Sequence, residues 1–256
     1  MVAESKQGHL ASALSCTEVV LALYYGGYVR VSPARPRDPV RDRVLVSKGH
    51  GAIVLYPVLA DLGFLGRGHL ASFAEAGGPL RVYADPSIPG IEAICGSLGH
   101  GFGIGCGYAY TAKRDGLDYR TFVILSDGEC YEGSVWETAM FAAHHGLDNL
   151  VVIIDRNRLC ILGGTEECLR LDPLEDKWRA FGWDVLTIDG HRYGEILPAL
   201  DRALVPSGKP LAIVANTVKG KGISFMENRA EWHNRTPDAA DIAQARRDLQ
   251  TNCIVD

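Results

Sequence analysis

Apolar runs of strand length alternate with stretches of helical character along most of the chain. The clearest case lies between Phe122 and Gly163, where strand, polar turn, helix, strand and polar turn follow one another. Such a unit pairs its two strands in parallel, with the helix as the crossover between them. Further β-rich runs occupy residues 44–46, 184–189 and 211–217. The alternation predicts one α/β domain with a doubly wound, mainly parallel sheet and helices on both of its faces.

Three stretches carry helix signals of their own. Ser15 followed by Glu18 forms a capping box before an apolar run, which predicts a helix with Ser15 at its N-cap. Residues 193–204 have helical character, and Pro198 is expected to interrupt that helix. Residues 236–238, with the sequence Thr-Pro-Asp, predict the start of a polar C-terminal helix with proline at its first position.

Polar turns follow both strands of the central unit at the point where each strand ends. The first turn reads Ser126-Asp127-Gly128 and the second reads Asp155-Arg156-Asn157. Because parallel strands place their carboxyl ends side by side, we expect Asp127 and Asn157 to lie close together. A carboxylate and an amide oxygen suit a hard cation such as Mg²⁺. Each turn alone is also ordinary loop chemistry, but two of them in one unit, with Glu132 opening the helix, favour a cation site.

Composition and charge restrict the classes of function. Hydrophobic residues make up 47% and charged residues 22% of the 256-residue chain, which is ordinary for a globular protein. A net charge of −5 argues against a dedicated nucleic-acid binder, although a local basic pocket stays compatible with it. No window approaches the roughly 18 apolar residues of a membrane span, and the N-terminus lacks the apolar core of a signal peptide. Seven cysteines without a C-x-x-C pair are typical of free thiols in a reducing cytosol, so a cytoplasmic protein is predicted.

Two histidines and a row of glycines add candidate ligand contacts. His9 lies in a loop after Gly8, and His50 lies where a short apolar strand meets a helix N-terminus, which is a natural anion site. A single loop histidine is more often merely exposed to solvent, so neither histidine carries a function alone. Glycine occupies every second position from Gly99 to Gly107. This spacing does not match the dinucleotide-binding fingerprint; it indicates close approach of the backbone to a packed element or, equally, to a ligand.

Six motifs, taken in order, resemble the N-terminal half of transketolase, the half that binds the diphosphate of thiamine diphosphate. Each motif is weak alone, but their order and spacing extend over nearly the whole chain. They are Gly8-His9, Lys48-Gly49-His50-Gly51, GSLGHG at residues 96–101, SDGECYEG-x₂-WE-x₂-MFAAHH at residues 126–145, LDNL-x₄-D-x-N at residues 147–157, and NTVKGKG followed by MEN and Trp232-His233. The resemblance implies a thiamine diphosphate-binding fold, with thiamine diphosphate and Mg²⁺ as cofactors.

The resemblance also assigns roles to individual residues. The side chains of Asp127 and Asn157 and the backbone carbonyl of Leu159 would bind Mg²⁺, which in turn holds the cofactor's diphosphate. The implied cofactor-binding residues are His50, Gly96, Ser97, Leu98, Gly99, Asp127, Gly128, Glu129, Asn157 and His233. The residues implied for catalysis are His9, His50, Tyr83, Glu132 and His233, with His9 facing the sugar and Glu132 lying at a subunit interface.

Family enzymes transfer a two-carbon ketol unit from a ketose or ketose phosphate to an aldose acceptor, and the resemblance implies that activity here. Residues 1–256 are expected to form a single diphosphate-binding domain, with the pyrimidine-binding and C-terminal domains absent. The family's activating glutamate belongs to the pyrimidine-binding half. We therefore predict a split enzyme in which a separately encoded subunit supplies that half. A heterotetramer is expected, acting on small-molecule sugars, and this chain alone should be inactive.

Two other functions stay open on the sequence. One is a different thiamine diphosphate-dependent carboligation, of the acyloin or deoxyxylulose-phosphate-synthase type, although the spacing over residues 216–228 favours transketolase. The other is a non-catalytic paralogue that keeps the fold without turnover. Retention of the polar set argues against the paralogue; that set is Asp127, Asn157, His50, Glu132 and His233.

Four places depart from the family pattern; at one of them, Leu10-Ala11 follows Gly8-His9 where the family has Pro-Gly, a change that carries little weight. Ser126 stands where the family has glycine, and Arg156 replaces the first residue of an Asn-Asn pair, but neither change removes a predicted ligand. Tyr83 stands where the family usually has a histidine that contacts the hydroxyls of the substrate. A tyrosine donates hydrogen bonds but is a poor proton shuttle at neutral pH. Tyr83 therefore indicates a changed donor or acceptor sugar; the alternative is a loop shifted by one residue, in which Tyr83 only packs.

Overall fold

A computed structural model describes residues 1–252 of the chain; Cys253, one of the predicted free thiols, lies outside them. Five parallel strands form one sheet in the order β1-β2-β3-β5-β4. The strands are β1 (Arg43–Val46), β2 (Thr121–Ser126), β3 (Leu150–Arg156), β4 (Asp184–Asp189) and β5 (Leu211–Asn216). The central unit of the sequence is β2, a helix and β3, and its register pairs Ser126 with Asp155. Both polar turns therefore leave the same edge of the sheet.

Helices cover the two faces of this sheet. The α-helices are α1 (Val2–Ser5), α2 (Leu10–Leu14), α3 (Thr17–Tyr25), α4 (Leu55–Asp61), α5 (His100–Arg114), α6 (Gly133–His144), α7 (Thr165–Cys168), α8 (Leu174–Ala180), α9 (Tyr193–Ala203) and α10 (Ala239–Asn252). Short 3₁₀ helices occupy Gly49–Val54, Arg67–Ser72, Gly128–Tyr131 and Ala230–His233.

In the described part of the chain, two large apolar clusters lie one on each face of the sheet, and a small third cluster consists of Ala11, Ile223, Met226 and Trp232. Alternate residues of β2 belong to different clusters: Phe122 and Ile124 pack towards α3, α4 and α9, whereas Val123 and Leu125 pack towards α5, α6 and α8. Both β2 and β3 are buried along their whole length, as strands covered on both faces must be. The predicted doubly wound α/β fold is confirmed.

The glycines of α5 are explained in part by this packing. A Cβ on Gly105 would lie 2.5 Å from the Val123 side chain, and one on Gly101 would lie 2.8 Å from the Cα of Ser47. These two glycines let α5 lie directly on β1 and β2. Gly103 and Gly107 point away from the sheet and are exposed. Close packing against the sheet therefore explains the glycines on one face of α5 only.

The predicted capping box is wrong. Helix α3 begins at Thr17, and no side chain caps its first turn. Instead, the Ser15 hydroxyl donates a hydrogen bond of 2.5 Å to Asp155, and a carboxylate oxygen of Glu18 lies 3.1 Å from His191. Tertiary partners thus occupy both side chains that would have made the local cap.

Two other helix predictions also need correction. Helix α9 continues through Pro198 without interruption, because its apolar side is anchored in the core; the buried residues are Ile196, Ala199, Leu200 and Ala203. Helix α10 does not have Pro237 at its first position. The carboxylate of Asp238 accepts hydrogen bonds from the backbone N–H groups of Ala240 and Asp241, at 2.8 and 2.9 Å, so Asp238 is the capping residue and Pro237 precedes the helix.

Candidate functional site

A cavity of about 440 Å³ opens where the polar turns leave the carboxyl edge of the sheet. Segments far apart in sequence meet there. The predicted residues that line it are His9, His50, Tyr83, Gly96, Leu98, Gly128, Glu132, Asn157, Leu159 and His233. Ser97, Gly99, Asp127 and Glu129 are not part of its lining. A larger cavity of about 720 Å³ lies between the N-terminal helices and α4; its walls are mainly apolar, and the polar side chains of Tyr25, Asp61 and Arg67 at its edge are bonded to one another.

Asp127 is fully buried behind the cavity wall. One carboxylate oxygen accepts a hydrogen bond from the N–H of Gly128 at 2.8 Å, and the other accepts from the N–H of Arg158 at 2.6 Å and from the Arg156 guanidinium at 3.2 Å. Burial, reinforced by the nearby charge of Asp155, raises the pKa of Asp127 to about 6, although Arg156 acts in the opposite direction. The bond from Arg158 joins the two turns directly.

Asn157 is also buried, and its amide is oriented by its neighbours. The side-chain oxygen accepts from the N–H of Leu159 at 3.1 Å, and the amide nitrogen donates to Asp155 at 3.3 Å. Leu159 itself pairs with Gly164 across a tight antiparallel bridge. The second turn is thus held rigidly beside the first, as the shared sheet edge predicts.

Asp155 binds several chain segments together beneath the cavity. Its carboxylate pairs with the buried ammonium of Lys48 and accepts from the hydroxyls of Ser15 and Thr217. Burial opposes ionisation, but Lys48 and these donors together hold the pKa of Asp155 below its ordinary value. The sequence places Asp155 in the second turn without showing this role, because Ser15, Lys48 and Thr217 are 62 to 140 residues away from it along the chain.

Lys219 is the group at this site that sequence reasoning missed. Its side chain lines the cavity and is 2% exposed. Its ammonium lies 2.8 Å from Nδ1 of His233 and, within the described residues, has no carboxylate partner. Burial, followed by repulsion from Lys48, lowers the pKa of Lys219 to about 8, although attraction by Asp155 and Asp127 acts in the opposite direction. A buried cation without a counter-ion is costly unless a ligand supplies the negative charge.

Three imidazoles form a cluster on one wall of the cavity. The ring centroids of His9, His50 and His233 lie 5.2 to 5.4 Å from one another. Burial is the main reason that the pKa of each ring is lowered, to about 4 for His233 and well below the ordinary value for His50, and nearby lysines add to it. All three rings are therefore neutral at pH 7. Nδ1 of His9 is buried and has no hydrogen-bond partner in the described structure. This atom can therefore form a hydrogen bond with a ligand.

Tyr83 completes this wall at the mouth of the cavity. Its ring centroid lies 6.4 Å from that of His9, and its side chain is 38% exposed. The tyrosine is thus placed beside the histidine cluster, next to the part of the cavity that opens to solvent.

Glu129 connects the glycine-containing loop to the first turn. It is fully buried and accepts hydrogen bonds from the N–H of Gly99 at 2.7 Å, from the Ser47 hydroxyl at 2.5 Å and from the N–H of Ser126 at 3.2 Å. Burial raises the pKa of Glu129 above its ordinary value. Glu129 therefore positions the loop that lines the cavity, while Glu132 is exposed at its rim.

A polar cavity at the carboxyl edge of a parallel α/β sheet is the place where such folds bind ligands. The family model described as "Transketolase, thiamine diphosphate binding domain" matches residues 1–253. The chain belongs to this family. The expected family is confirmed, and with it a transketolase-type function with thiamine diphosphate as the cofactor.

Relatives and solved structures agree with this assignment. The chain is 42% identical to one of the subunits of the apulose-4-phosphate transketolase of Phocaeicola vulgatus over 249 residues, which covers 97% of this chain and 88% of the relative. It is 43% identical to a 6-deoxy-6-sulfo-D-fructose transketolase subunit of a Clostridium species, covering 89% and 82% of the two chains. The crystal structure of transketolase from Campylobacter jejuni matches with a TM-score of 0.90 at 28% identity, covering 97% of this chain. This chain spans about two fifths (40%) of that transketolase.

The cytoplasmic location and the Mg²⁺ site stay predictions. In the part of the chain that the structure describes, no helix is both long and apolar enough to cross a bilayer. Within the same residues, no three histidine, cysteine, aspartate or glutamate side chains converge as a metal site. A metal held by one carboxylate, one amide oxygen and one backbone carbonyl would not form such a cluster.

Proposed function

We propose that this chain is the diphosphate-binding subunit of a split transketolase. It holds thiamine diphosphate and Mg²⁺, and together with a partner subunit it transfers a two-carbon ketol unit from a ketose to an aldose. The observation that carries the proposal is Lys219, a buried ammonium that lines the cavity and, among the described residues, has no carboxylate within ion-pair distance. The diphosphate of the cofactor supplies the missing negative charge.

The proposed Mg²⁺ ligands are Asp127, Asn157 and the carbonyl of Leu159. A carboxylate has about four sites that accept hydrogen bonds. Asp127 uses three of them for protein donors, and Asn157 uses one site of its amide oxygen. Each side chain thus keeps an acceptor site for a cation. Mg²⁺ usually takes few protein ligands and completes its octahedron with phosphate oxygens and water, which fits this set.

The neutral histidines act on the reacting groups through hydrogen bonds. His50 and His233 lie beside Lys219 and can donate to, or accept from, the cofactor and the sugar without adding positive charge. His9 offers its unpartnered Nδ1 to a substrate hydroxyl. The cofactor, when bound, supplies the electron sink that makes and breaks carbon–carbon bonds. The protein's part is to hold, orient and exchange protons with the groups around it.

The partner subunit is proposed to cover the open side of the cavity. Ile161 and Leu162 line it, yet are 65% and 84% exposed. Apolar side chains at the mouth of a polar site favour a protein surface over bulk water. Relatives whose names describe them as one of several transketolase subunits support a separately encoded partner. We propose a heterotetramer, with the pyrimidine-binding half on the partner.

The donor sugar is proposed to be a ketose with a terminal anionic group. The names of two relatives refer to a phosphorylated and a sulfonated sugar. Tyr83, in the place of the family histidine, is proposed to adapt this site to its own donor or acceptor. Acyloin-type carboligation on the same cofactor is the alternative, and a screen of substrates distinguishes it from ketol transfer.

The test compares two lysines of one loop, Lys219 and Lys221. Lys219→Met should abolish or weaken Mg²⁺-dependent binding of thiamine diphosphate by at least about tenfold, since a charge-assisted contact is worth about 1.5–3 kcal/mol. Lys221→Met is the matched control, because Lys221 is more exposed and lies 3.6 Å from Glu227. Isothermal titration calorimetry measures both. Unchanged binding by the Lys219 variant, or binding by the wild type without any need for Mg²⁺, contradicts the proposal.

A further inference from the structure

Two thiols lie in contact at the rim of the cavity. The sulfurs of Cys160 and Cys168 are 3.6 Å apart, and both residues are free cysteines that line the cavity. Cys168 is exposed and Cys160 is half-buried, whereas the other described cysteines are buried. This pair is therefore the thiol pair that a reagent in solvent reaches most readily in the described part of the chain.

The backbone holds the two residues in this position. Leu159 and Gly164 form an antiparallel bridge, the N–H of Cys160 donates to the carbonyl of Gly163 at 2.9 Å, and the N–H of Cys168 donates to that of Gly164 at 3.0 Å. Backbone hydrogen bonds thus connect both cysteines to the adjacent residues Gly163 and Gly164. A disulfide needs sulfurs about 2.05 Å apart. The remaining approach is about 1.5 Å, a distance that rotation of the two side chains supplies.

The pair also lies beside the turn that we assign to the diphosphate. A Cβ placed on Gly128 would be 3.3 Å from the Cβ of Cys160, and Cys160 directly follows the proposed metal ligand Leu159. The segment between the two cysteines carries Ile161 and Leu162 at the open side of the cavity. Whatever fixes this segment also fixes one wall of the cofactor site.

We propose that Cys160 and Cys168 are a redox-sensitive pair that forms a reversible intramolecular disulfide with a small-molecule disulfide, such as oxidised glutathione, as the oxidant. One thiolate attacks the small disulfide, forming a mixed disulfide and releasing one reduced thiol. The second cysteine then attacks the mixed disulfide and releases the second small thiol. Two protein thiols are oxidised by two electrons, one small disulfide is reduced to two thiols, and the two protons pass to those products.

The bridge restrains the segment over residues 160–168 and slows the entry and release of the cofactor. This effect rests on the proposed function, whereas formation of the bridge does not. Reduction by a small dithiol restores the open segment.

The full chain is treated with oxidised glutathione, its remaining thiols are alkylated, and it is digested with chymotrypsin, for which Leu162 is an exposed cleavage site between the two cysteines. We expect the loss of two thiols per chain and a pair of peptides that separate only after reduction. Cys160→Ser and Cys168→Ser should each retain a single glutathione adduct and form no bridge. A stable adduct on the wild type, or two alkylated cysteines, overturns the proposal.

A second measurement follows cofactor association by stopped-flow fluorescence in the reduced and bridged chains. Slower association in the bridged wild type, with no change in the Cys168→Ser variant treated in the same way, is the expected result. Equal rates in both forms overturn the gating role. If neither form binds thiamine diphosphate while the bridge still forms, it is the proposed function that fails.

Discussion

At the scale of single residues, the site depends on which buried charges have a partner. Lys48 and Asp155 neutralise each other, and the Arg156 guanidinium faces the carboxylates of Asp127, Glu166 and Asp172. Lys219 contacts an imidazole and, among the described residues, has no carboxylate within ion-pair distance. Since a buried charge without a close partner is costly in free energy, we propose that the paired groups build the scaffold and that Lys219 binds a ligand.

Mg²⁺-dependent cofactor binding should weaken as the pH falls below about 6. The pKa of Asp127 is raised to about 6, so its carboxylate takes up a proton there and is lost as a metal ligand. His233, with a pKa of about 4, stays neutral over the same range. The carboxyl proton of Asp127 is held more tightly in the folded chain than in the unfolded chain. The contribution of Asp127 to the free energy of unfolding therefore falls as the pH rises from the pKa of the unfolded chain to about 6.

Calorimetric titration at a series of pH values measures the binding, with about a tenfold loss expected per pH unit below the pKa. Asp127→Ala should lose the Mg²⁺ dependence while its circular dichroism spectrum is unchanged. Binding that persists in that variant with the same metal dependence would show that Asp127 is not a ligand.

Tyr83 should influence the choice of substrate. With the partner subunit present, Tyr83→Phe should lower kcat/KM for the native donor by up to about tenfold, the value of one hydrogen bond. Tyr83→His, which restores the family residue, should shift the ratio of kcat/KM between donor sugars. Steady-state kinetics on a panel of ketoses measures both effects. If neither variant alters the profile, Tyr83 only packs at the cavity mouth.

At the scale of elements, α5 shows how one glycine pattern serves two purposes. Gly105→Ala should lower the free energy of unfolding by about 1–3 kcal/mol, because a Cβ there would lie 2.5 Å from Val123. Gly107→Ala is the control; nothing lies within 4 Å of its Cβ, and alanine favours a helix by about 1 kcal/mol. Urea denaturation of the chain measures both. Equal effects of the two substitutions would contradict the packing described for α5.

The elements were predictable where periodicity or strand order determines them. The strands and their parallel pairing follow from apolar runs separated by helices, and the contact between the two polar turns, made by the N–H of Arg158 and Asp127, follows from the shared sheet edge. The helix starts were predicted less well. Ser15 and Glu18 have the right spacing for a cap, but Asp155 and His191 take both side chains. Lys219 could not be identified as unpaired, because only the folded chain shows which carboxylates are out of its reach.

At the scale of the whole molecule, the proposed split enzyme places the cation and the diphosphate on this chain, at a cavity that is open on one side. We expect the purified chain to bind thiamine diphosphate with Mg²⁺ but to show no ketol transfer, and activity to appear when the pyrimidine-binding subunit is mixed in. Ketol transfer is measured by a coupled transketolase assay, and stoichiometry by native mass spectrometry of the mixture. Full transfer by the single chain would contradict the split enzyme, and a mass other than two copies of each subunit would contradict the heterotetramer.

The position of Asp155 also has a consequence for the order of folding. Its hydrogen bonds reach partners 140, 107 and 62 residues away along the chain. Contacts between such distant segments form late, because closing long loops costs entropy before the contacts compensate for it. The floor of the cavity is therefore completed only when the sheet and its N-terminal helices have already assembled. In the proposed split enzyme, cofactor binding would then report a chain whose cavity floor is complete and which is ready to meet its partner.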